Sequence, residues 1–432
     1  MSAQHLSDLI RFARHNSPFY QDLYASLPPH CDHLADLPVV DQQAFWAANA
    51  LPDSRVLTGP LSEATVYKTG GTTGSPKFSV YTRDEWRTFV TAFGQGLADT
   101  GLRPGHRVAD LFYAGELYAS FLFVLDSLAH APVDNVRLPI GGGAPLESTI
   151  PTLRDLAAQV LAGTPTTLCR LAEQAVSAGV RLDAVELLLF GGEALFDDQR
   201  RLLAAAFPRA QARSIGYASV DAGLLGRPVP GSDARVHRAF TPYSVVEILD
   251  DSTDEPITEP GRPGRVVVTS LFRRLMPIIR YPAGDRAEWT ATGPGHFRIL
   301  GRAEEGVRVG PVSLYTQDAQ DAVAAADTAG RVVGMQLVVR RWDGRDGLVL
   351  RLATAPGDNA AGDHTTRDDP PGREALAKAV VAELESVRPL YPDSVRAGFV
   401  HPLSVEWARH RDLVVNPRSG KLVRVLDERP TA

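Results

Sequence analysis

The stretch YKTGGTTGSPKFSVYT, residues 67–82, sets three glycines and three threonines ahead of a Ser-Pro and a lysine. Glycines at 70, 71 and 74 let backbone N–H groups close on an anion. The hydroxyls of Thr69, Thr72, Thr73 and Ser75 add donors for phosphate oxygens, and Lys77 adds a point charge. Val and Tyr alternate with polar residues after Lys77, as in a half-buried strand. The reading is strand, phosphate loop, strand. A Walker A loop is excluded, because it needs Gly-Lys-Ser/Thr opening directly onto a helix. A protein kinase also lays a glycine loop between two strands, and HRDLVVN at 410–416 looks like part of a catalytic loop. There, however, Pro417 stands where the asparagine is needed, and Asp-Phe-Gly occurs nowhere.

The chain around this loop has 432 residues, 44% hydrophobic and 22% charged, which suits about two to four globular domains. A net charge of -6 provides no basic field for nucleic acid or acidic lipid, so an anionic ligand must be held by local groups. Two cysteines, Cys31 and Cys169, exclude a disulfide framework and a cysteine zinc site, and read as small apolar fillers. The N-terminus carries charges throughout and does not read as a signal peptide. The run LYASFLFVL at 117–125 falls well short of the roughly 20 residues of a membrane span. The expectation is a soluble, cytoplasmic protein with no nucleic-acid or membrane partner.

Residues 5–27 read as an amphipathic helix with Leu6, Leu9, Ile10 and Ala13 on one face and Ser7 as its cap. From 61 to 310, short apolar runs (107–114, 158–163, 184–193 and 211–217) alternate with helical patterns, which indicates an α/β sheet. From 243 to 300 the pattern turns all-β. A second unit starts near 303. It has a helix at 316–328, two strands around the turn WDGRDG, a polar Gly/Pro-rich loop at 357–372, a helix from Arg373, and a closing strand–turn–strand.

The loop TGGTTGSPK closely resembles the phosphate loop of the adenylate-forming superfamily, whose usual form is Gly-Thr-Thr-Gly-x-Pro-Lys. Further motifs of that superfamily follow in order. FGGEAL (190–195) resembles the turn that lies against the adenine, which implies nucleotide contacts from Gly191, Gly192 and Glu193. GYASVD (216–221) resembles the Tyr-Gly-x-Thr-Glu signature. Tyr217 would stack on the adenine with Ala218 beside it, and Asp221 would sit near Mg²⁺ and the α-phosphate. YPAGD (281–285) resembles Tyr-Arg-Thr-Gly-Asp, so Asp285 would accept both ribose hydroxyls. GRAEEGVRVG (301–310) resembles the hinge, with Arg302 reaching the ribose and Glu304 as the pivot. NPRSGKLVRV (416–425) resembles the C-terminal Gly-Lys loop, with Lys421 bridging the acid and the α-phosphate.

The resemblance covers essentially the whole chain. The short length and the NSPFY helix end (16–20) are similar to the phenylacetate–CoA ligase group. It implies an α/β fold with a large N-terminal adenylate-forming domain of mixed sheets and helices, residues 1–302. A small, mobile α+β C-terminal domain, residues 303–432, would carry the catalytic lysine. It also implies ATP-dependent activation of a carboxylic acid to acyl-AMP, then transfer to a thiol, with ATP, Mg²⁺ and coenzyme A as cofactors and a homodimer as a common assembly. The acid pocket would be lined by Tyr113, Gly115, Tyr118, Phe190 and Gly216, and aromatic walls there suit an aryl acid. A carrier protein or an amine as acceptor is an alternative. A catalytically degenerate nucleotide-binding protein is another.

The sequence departs from the family pattern at several points. Val220 replaces Thr/Ser, Asp221 replaces Glu, Ala218 replaces Gly, Glu304 replaces Asp and Pro311 replaces Gly. Pro311 fixes φ and removes a donor after the hinge. These changes leave the groups for acid activation in place and bear more on the second half-reaction.

Overall fold

The computed structural model describes residues 3–29, 31, 33–69, 77–302, 306–354 and 370–429. The opening stretch forms the antiparallel pair Ala64–Lys68 and Phe78–Thr82, with Lys68 opposite Phe78. Gly70, Gly71, Thr72, Thr73 and Gly74 lie outside the described residues. The second strand runs straight into the helix Arg83–Gly96. Thr82 and Glu85 form a capping box at that junction, each accepting the other's backbone N–H. The remaining oxygen of Glu85 accepts the N–H groups of Arg274 and Leu275 at 2.6 and 2.8 Å. One buried carboxylate thus caps a helix and pins the hairpin to a distant loop.

The α/β region is a five-stranded parallel sheet in the order Asn135–Pro139, His106–Asp110, Val160–Gly163, Leu187–Phe190, Gln211–Ser214. Its inner strands are near-continuous apolar runs because helices cover both faces. One face carries an aromatic cluster with Phe89, Phe93, Phe112 and Phe240. The other packs Leu111, Phe190, Leu168, Cys169 and Leu202. The all-β region is a seven-stranded antiparallel sheet running from Ser244–Leu249 at one edge to Tyr217–Ser219 at the other.

The N-terminal helices cover part of that antiparallel sheet. Leu9, Ile10 and Ala13 are buried against Val266, Ile279 and Tyr281. The expected single helix over 5–27 is two helices, Ala3–Asn16 and Pro18–Leu23. Ser7 lies inside the first of them. Ser17 is the residue that caps, and Pro18 occupies the first helical position, where its missing N–H costs nothing.

The C-terminal unit is α+β with a core of its own, including Leu337, Val339, Leu350, Val380 and Leu384. Its central hairpin pairs Val332–Trp342 with Arg345–Thr354. The two turn residues, Asp343 and Gly344, both take positive φ (48° and 76°), as a type I′ hairpin requires. Ser404–Arg409 and Val425–Asp427 join in parallel at the two edges. The closing strand–turn–strand is reduced to one antiparallel bridge, Val415 to Leu422, before that last strand. Most of the loop at 357–372 lies outside the described residues. Near the expected hinge, Gly306–Val309 and Val312–Tyr315 form a hairpin whose turn is Gly310-Pro311, with Gly310 at φ 55°.

Val333, Ala353 and Leu413 of the C-terminal unit pack into the cluster on the second face of the parallel sheet. The two units therefore share an apolar seam. Among the described residues, no helix is long and apolar enough to cross a membrane.

Phe93 stands at the centre of the aromatic cluster, 2% exposed, with Phe123 and Phe240 at ring-centroid distances of 4.6 and 5.9 Å. Phe93→Ala is expected to destabilise the fold by about 3–5 kcal/mol. A lower urea midpoint with an unchanged slope would show this.

Candidate active site

The C-terminal ends of the parallel strands, the edge of the antiparallel sheet and the loop Asn416–Lys421 meet in one place. That loop is organised by Asn416. Its side-chain oxygen accepts the N–H groups of Arg418 and Ser419 at 3.0 and 3.2 Å, and its backbone N–H and C=O bond to Lys421 and Gly420. Gly420 takes φ 63°, and a Cβ there would overlap the Tyr113 ring. Glycine is needed at this position because the loop lies flat on that tyrosine.

Lys421 is delivered onto Gly192, which is left-handed at φ 79°. A side chain at 192 would place its first carbon 2.9 Å from Lys421 Cε and 3.3 Å from Nζ. Glu193 fixes the arrangement. One oxygen accepts the N–H of Leu422 at 2.7 Å, and the other accepts the Thr166 hydroxyl at 2.8 Å and its N–H at 3.2 Å. Glu193, expected to contact nucleotide, also binds the lysine loop to the first turn of the helix Pro165–Ser177 through its carboxylate. A second link joins Arg418 to the carbonyl of Thr69 at 2.5 Å. Thr69 also donates its N–H to Lys77 O at 3.0 Å, joining the ends of the two strands. Lys77 Nζ lies 5.7 Å from the Trp46 ring centroid.

The signature segment runs along the edge of the antiparallel sheet. Gly216 has φ 133°, and a Cβ there would lie 2.8 Å from the Phe93 ring. The Tyr217 hydroxyl donates to Asp285 at 2.5 Å. Asp285 sits directly opposite Arg302 in the strand register, and Ala218 pairs with Leu224 at the edge of the same sheet. Asp221 accepts the Ser79 hydroxyl at 2.8 Å, so the signature touches the strand that follows the phosphate loop. The carbonyls of Val220 and Asp221 are held by Arg273, whose guanidinium is fully buried and lies 3.9 Å from the Tyr81 ring centroid. Tyr81 donates to Val220 O at 2.8 Å. Among the described residues no cluster of three or more metal-type side chains exists. A lone carboxylate at Asp221 fits a magnesium ion carried by nucleotide phosphates, which asks for only one or two protein carboxylates.

Of the expected acid-pocket residues, Tyr113 lies against Gly142 and Gly420, and Gly216 lies against Phe93. Gly191 is 3.7 Å from Phe112, measured from its would-be Cβ. Gly115 and Tyr118 close an exposed turn whose Leu117 carbonyl accepts the Lys68 N–H at 2.9 Å. Phe190 does not face this group. It sits in register with Gly163 on the opposite face of the parallel sheet, among Leu168 and Leu195. The two-residue period of the strand decides this: Leu189 points to the aromatic side, so Phe190 cannot. Glu304 lies outside the described residues.

Sequence reading missed Arg273, Arg418 and the link made by Glu193. A double arginine inside the apolar run SLFRRLMP and an arginine in the Gly-Lys loop were the available signals. It also missed Asp110, which is fully buried at the end of its strand. Burial pushes the Asp110 carboxyl up to about 8, against one N–H from Phe112 that favours the charged form.

These observations frame the comparisons with known proteins. No family model matches the chain. In sequence it is 25% identical over 372 residues to the phenylacetate-coenzyme A ligase of Thermus thermophilus, covering 82% of this chain and 80% of that protein. It is 23% identical over 436 residues to the corresponding ligase of Aromatoleum evansii, covering 98% and 92%. In structure it matches 2-hydroxyisobutyryl-CoA ligase in its postadenylation state, with a TM-score of 0.76 at 20% identity over 99% of this chain and 88% of the other. The same ligase in its thioesterification state, with 2-HIB-AMP and CoA, gives 0.62 at 21% identity over 99% and 89%. The architecture is that of the adenylate-forming enzymes. In sequence, the curated relatives it matches are phenylacetate-coenzyme A ligases.

A raised folded-state pKa at Asp110 means that stability is lost as pH rises from about 4, its unfolded value, through about 8. Asp110→Asn keeps the shape and removes that loss. Its melting temperature relative to the parent is expected to rise steadily between pH 5 and about 8. A difference that does not change with pH would exclude the shift.

Proposed function

We propose that this protein is an ATP-dependent ligase that activates an aromatic carboxylic acid as acyl-AMP and passes the acyl group to the thiol of coenzyme A. The observation that carries the reading is the position of Lys421: its ammonium lies over Gly192, and Glu193 holds the adjoining Leu422 N–H. A mobile cation brought from the C-terminal unit to the end of the parallel sheet is what stabilisation of an α-phosphate requires. The better match to the postadenylation state of 2-hydroxyisobutyryl-CoA ligase supports the same arrangement.

In this scheme the acid's carboxylate oxygen bonds to the α-phosphorus. The bond to the bridging oxygen breaks, and pyrophosphate leaves with the electron pair. The carboxylate is already ionised at neutral pH, so no general base is needed. The chain's contribution is positioning and charge. Lys421 neutralises the α-phosphate and the acid. Lys77 and the 69–77 loop take the departing pyrophosphate. Asp285 and Arg302 hold the ribose, and Tyr217, Ala218, Gly191 and Gly192 border the adenine. Mg²⁺ bound with the nucleotide would offset phosphate charge, with Asp221 as its protein ligand. In the second half-reaction a thiolate sulfur attacks the acyl carbon and AMP leaves with the pair.

The boundary is proposed at residues 302 and 303, with Glu304 as the pivot of a rotation that removes Lys421 before the thiol enters. The stretch is followed by the Gly310-Pro311 turn, which limits the swing to a few bonds upstream. Tyr113, Gly115, Tyr118 and Gly216 border the acid. A cytoplasmic site of action and a homodimer accompany the proposal.

The primary test is acid-dependent ATP–pyrophosphate exchange across benzoates, arylacetates and fatty acids. Lys421→Ala is expected to abolish exchange while preformed acyl-AMP is still consumed by coenzyme A. Equal loss of both steps would make Lys421 structural. Glu193→Ala frees the lysine loop, and is expected to slow exchange by about 10-fold or more with a smaller effect on thioester formation. If both steps fall together, Glu193 serves the fold and not the placement of Lys421.

A further inference from the structure

Asp110 ends the second strand of the parallel sheet. Its Oδ1 accepts the Phe112 N–H at 3.0 Å, which curls the side chain toward the C-terminal edge where the candidate site lies. Its Oδ2 is buried and has no hydrogen-bond partner among the described residues. Register fixes its surroundings. Asp110 is level with Ala162, and Ala162 with Leu189. Ala162, Leu189, Val108 and Phe112 all belong to the aromatic cluster. Parallel in-register residues share a face, so Asp110 stands on that side too. It is a carboxyl on the face of the sheet that carries the aromatic cluster, where a polar atom without a partner is costly.

The position relative to Lys421 is informative. Leu189, in Asp110's row, is three residues before Gly192, the residue under the Lys421 ammonium. Phe112, whose N–H Asp110 holds, has its ring 3.7 Å from where a Cβ would lie at Gly191, the neighbour of Gly192. Asp110 thus stands directly behind a ring at the edge of the candidate site.

We infer that Asp110 is a specificity-determining residue of the acid pocket, its buried Oδ2 receiving a hydroxyl or amino group carried by the aromatic acid on the end remote from its carboxylate. This rests on the proposed adenylation reading and deepens it. The acid class is then a hydroxy- or amino-substituted aryl acid, and the unsubstituted acid is the poorer substrate. A site built to pair a buried polar group discriminates strongly against an analogue that leaves the group unpaired.

Benzoate, 4-hydroxybenzoate and 4-aminobenzoate are the probes. Two readouts are taken on the parent, Asp110→Asn and Asp110→Leu: ATP–pyrophosphate exchange, and equilibrium binding of each acid by calorimetry. The parent is expected to favour at least one substituted acid over benzoate by about tenfold or more in both readouts. Asp110→Leu is expected to collapse or reverse that ratio. Asp110→Asn, which keeps the bond from the Phe112 N–H, retains part of it and guards against a folding artefact. A ratio that is the same in all three proteins overturns the inference, leaving Asp110 as a strand-ending residue while exchange still upholds adenylation. A binding ratio that collapses without any exchange upholds Asp110 and overturns the adenylation reading. No selective binding and no exchange with any probe overturns both. The arm that responds, hydroxyl or amino, identifies the substituent.

Discussion

The Glu193 carboxylate serves two parts of the chain that are far apart in sequence. It accepts from Thr166 at the start of a helix in the large unit and from Leu422 in the terminal loop. The position of Lys421 follows from that shared acceptor, because the backbone N–H bound to Glu193 belongs to the next residue. Around it, the left-handed Gly192 leaves room for the lysine stem, and the Asn416-organised turn presents Gly420 to Tyr113. Remove the carboxylate and what still joins the units there includes Arg418 to the Thr69 carbonyl, Arg424 over the Phe196 ring and the apolar seam. A carboxylate bound by backbone and hydroxyl donors is a strong yet reversible tie, which suits a unit that must dock and leave.

Much of this was legible in the sequence because the motifs that resemble the adenylate-forming superfamily are local. Strand, glycine loop, strand; strand, Gly-Gly, helix; and the Asn-Pro-Arg-Ser-Gly-Lys turn each encode their own geometry in a few residues. The α/β-then-β order was readable from period and from turn residues. The misses have physical causes. The split at Ser17-Pro18 broke an amphipathic face that continues across it, so periodicity alone merged two helices. Phe190 was assigned to the pocket by its neighbours in sequence. A strand turns successive side chains to opposite faces, and a one-residue error of placement is a complete error of face. Asp110 and Arg273 were invisible because nothing local distinguishes a buried charge from a solvated one. Their meaning comes from residues 40 or more positions away, such as Val160 and Tyr81.

The departures from the family's usual residues now have structural settings. Val220 presents its carbonyl to Tyr81 and Arg273, so the backbone that carries Asp221 is held without the usual hydroxyl. Arg273 supplies a buried cation on the back of the same turn. The shorter Asp221 side chain is met by Ser79 from the neighbouring strand. The Gly-Pro turn after the hinge has glycine at the first central position, the arrangement a tight type II′ hairpin favours, so the proline fits without strain.

The seam made by Val333, Ala353 and Leu413 has a thermal consequence. Apolar contact carries a large heat-capacity change and weakens on cooling, whereas the charged and polar ties at Glu193 and Arg418 respond little. Under the proposed rotation, the docked arrangement is therefore favoured by warmth and the released one by cold. The two half-reactions would then carry different apparent activation enthalpies. That difference belongs to the surface the units share, and it would persist whichever acid occupies the pocket.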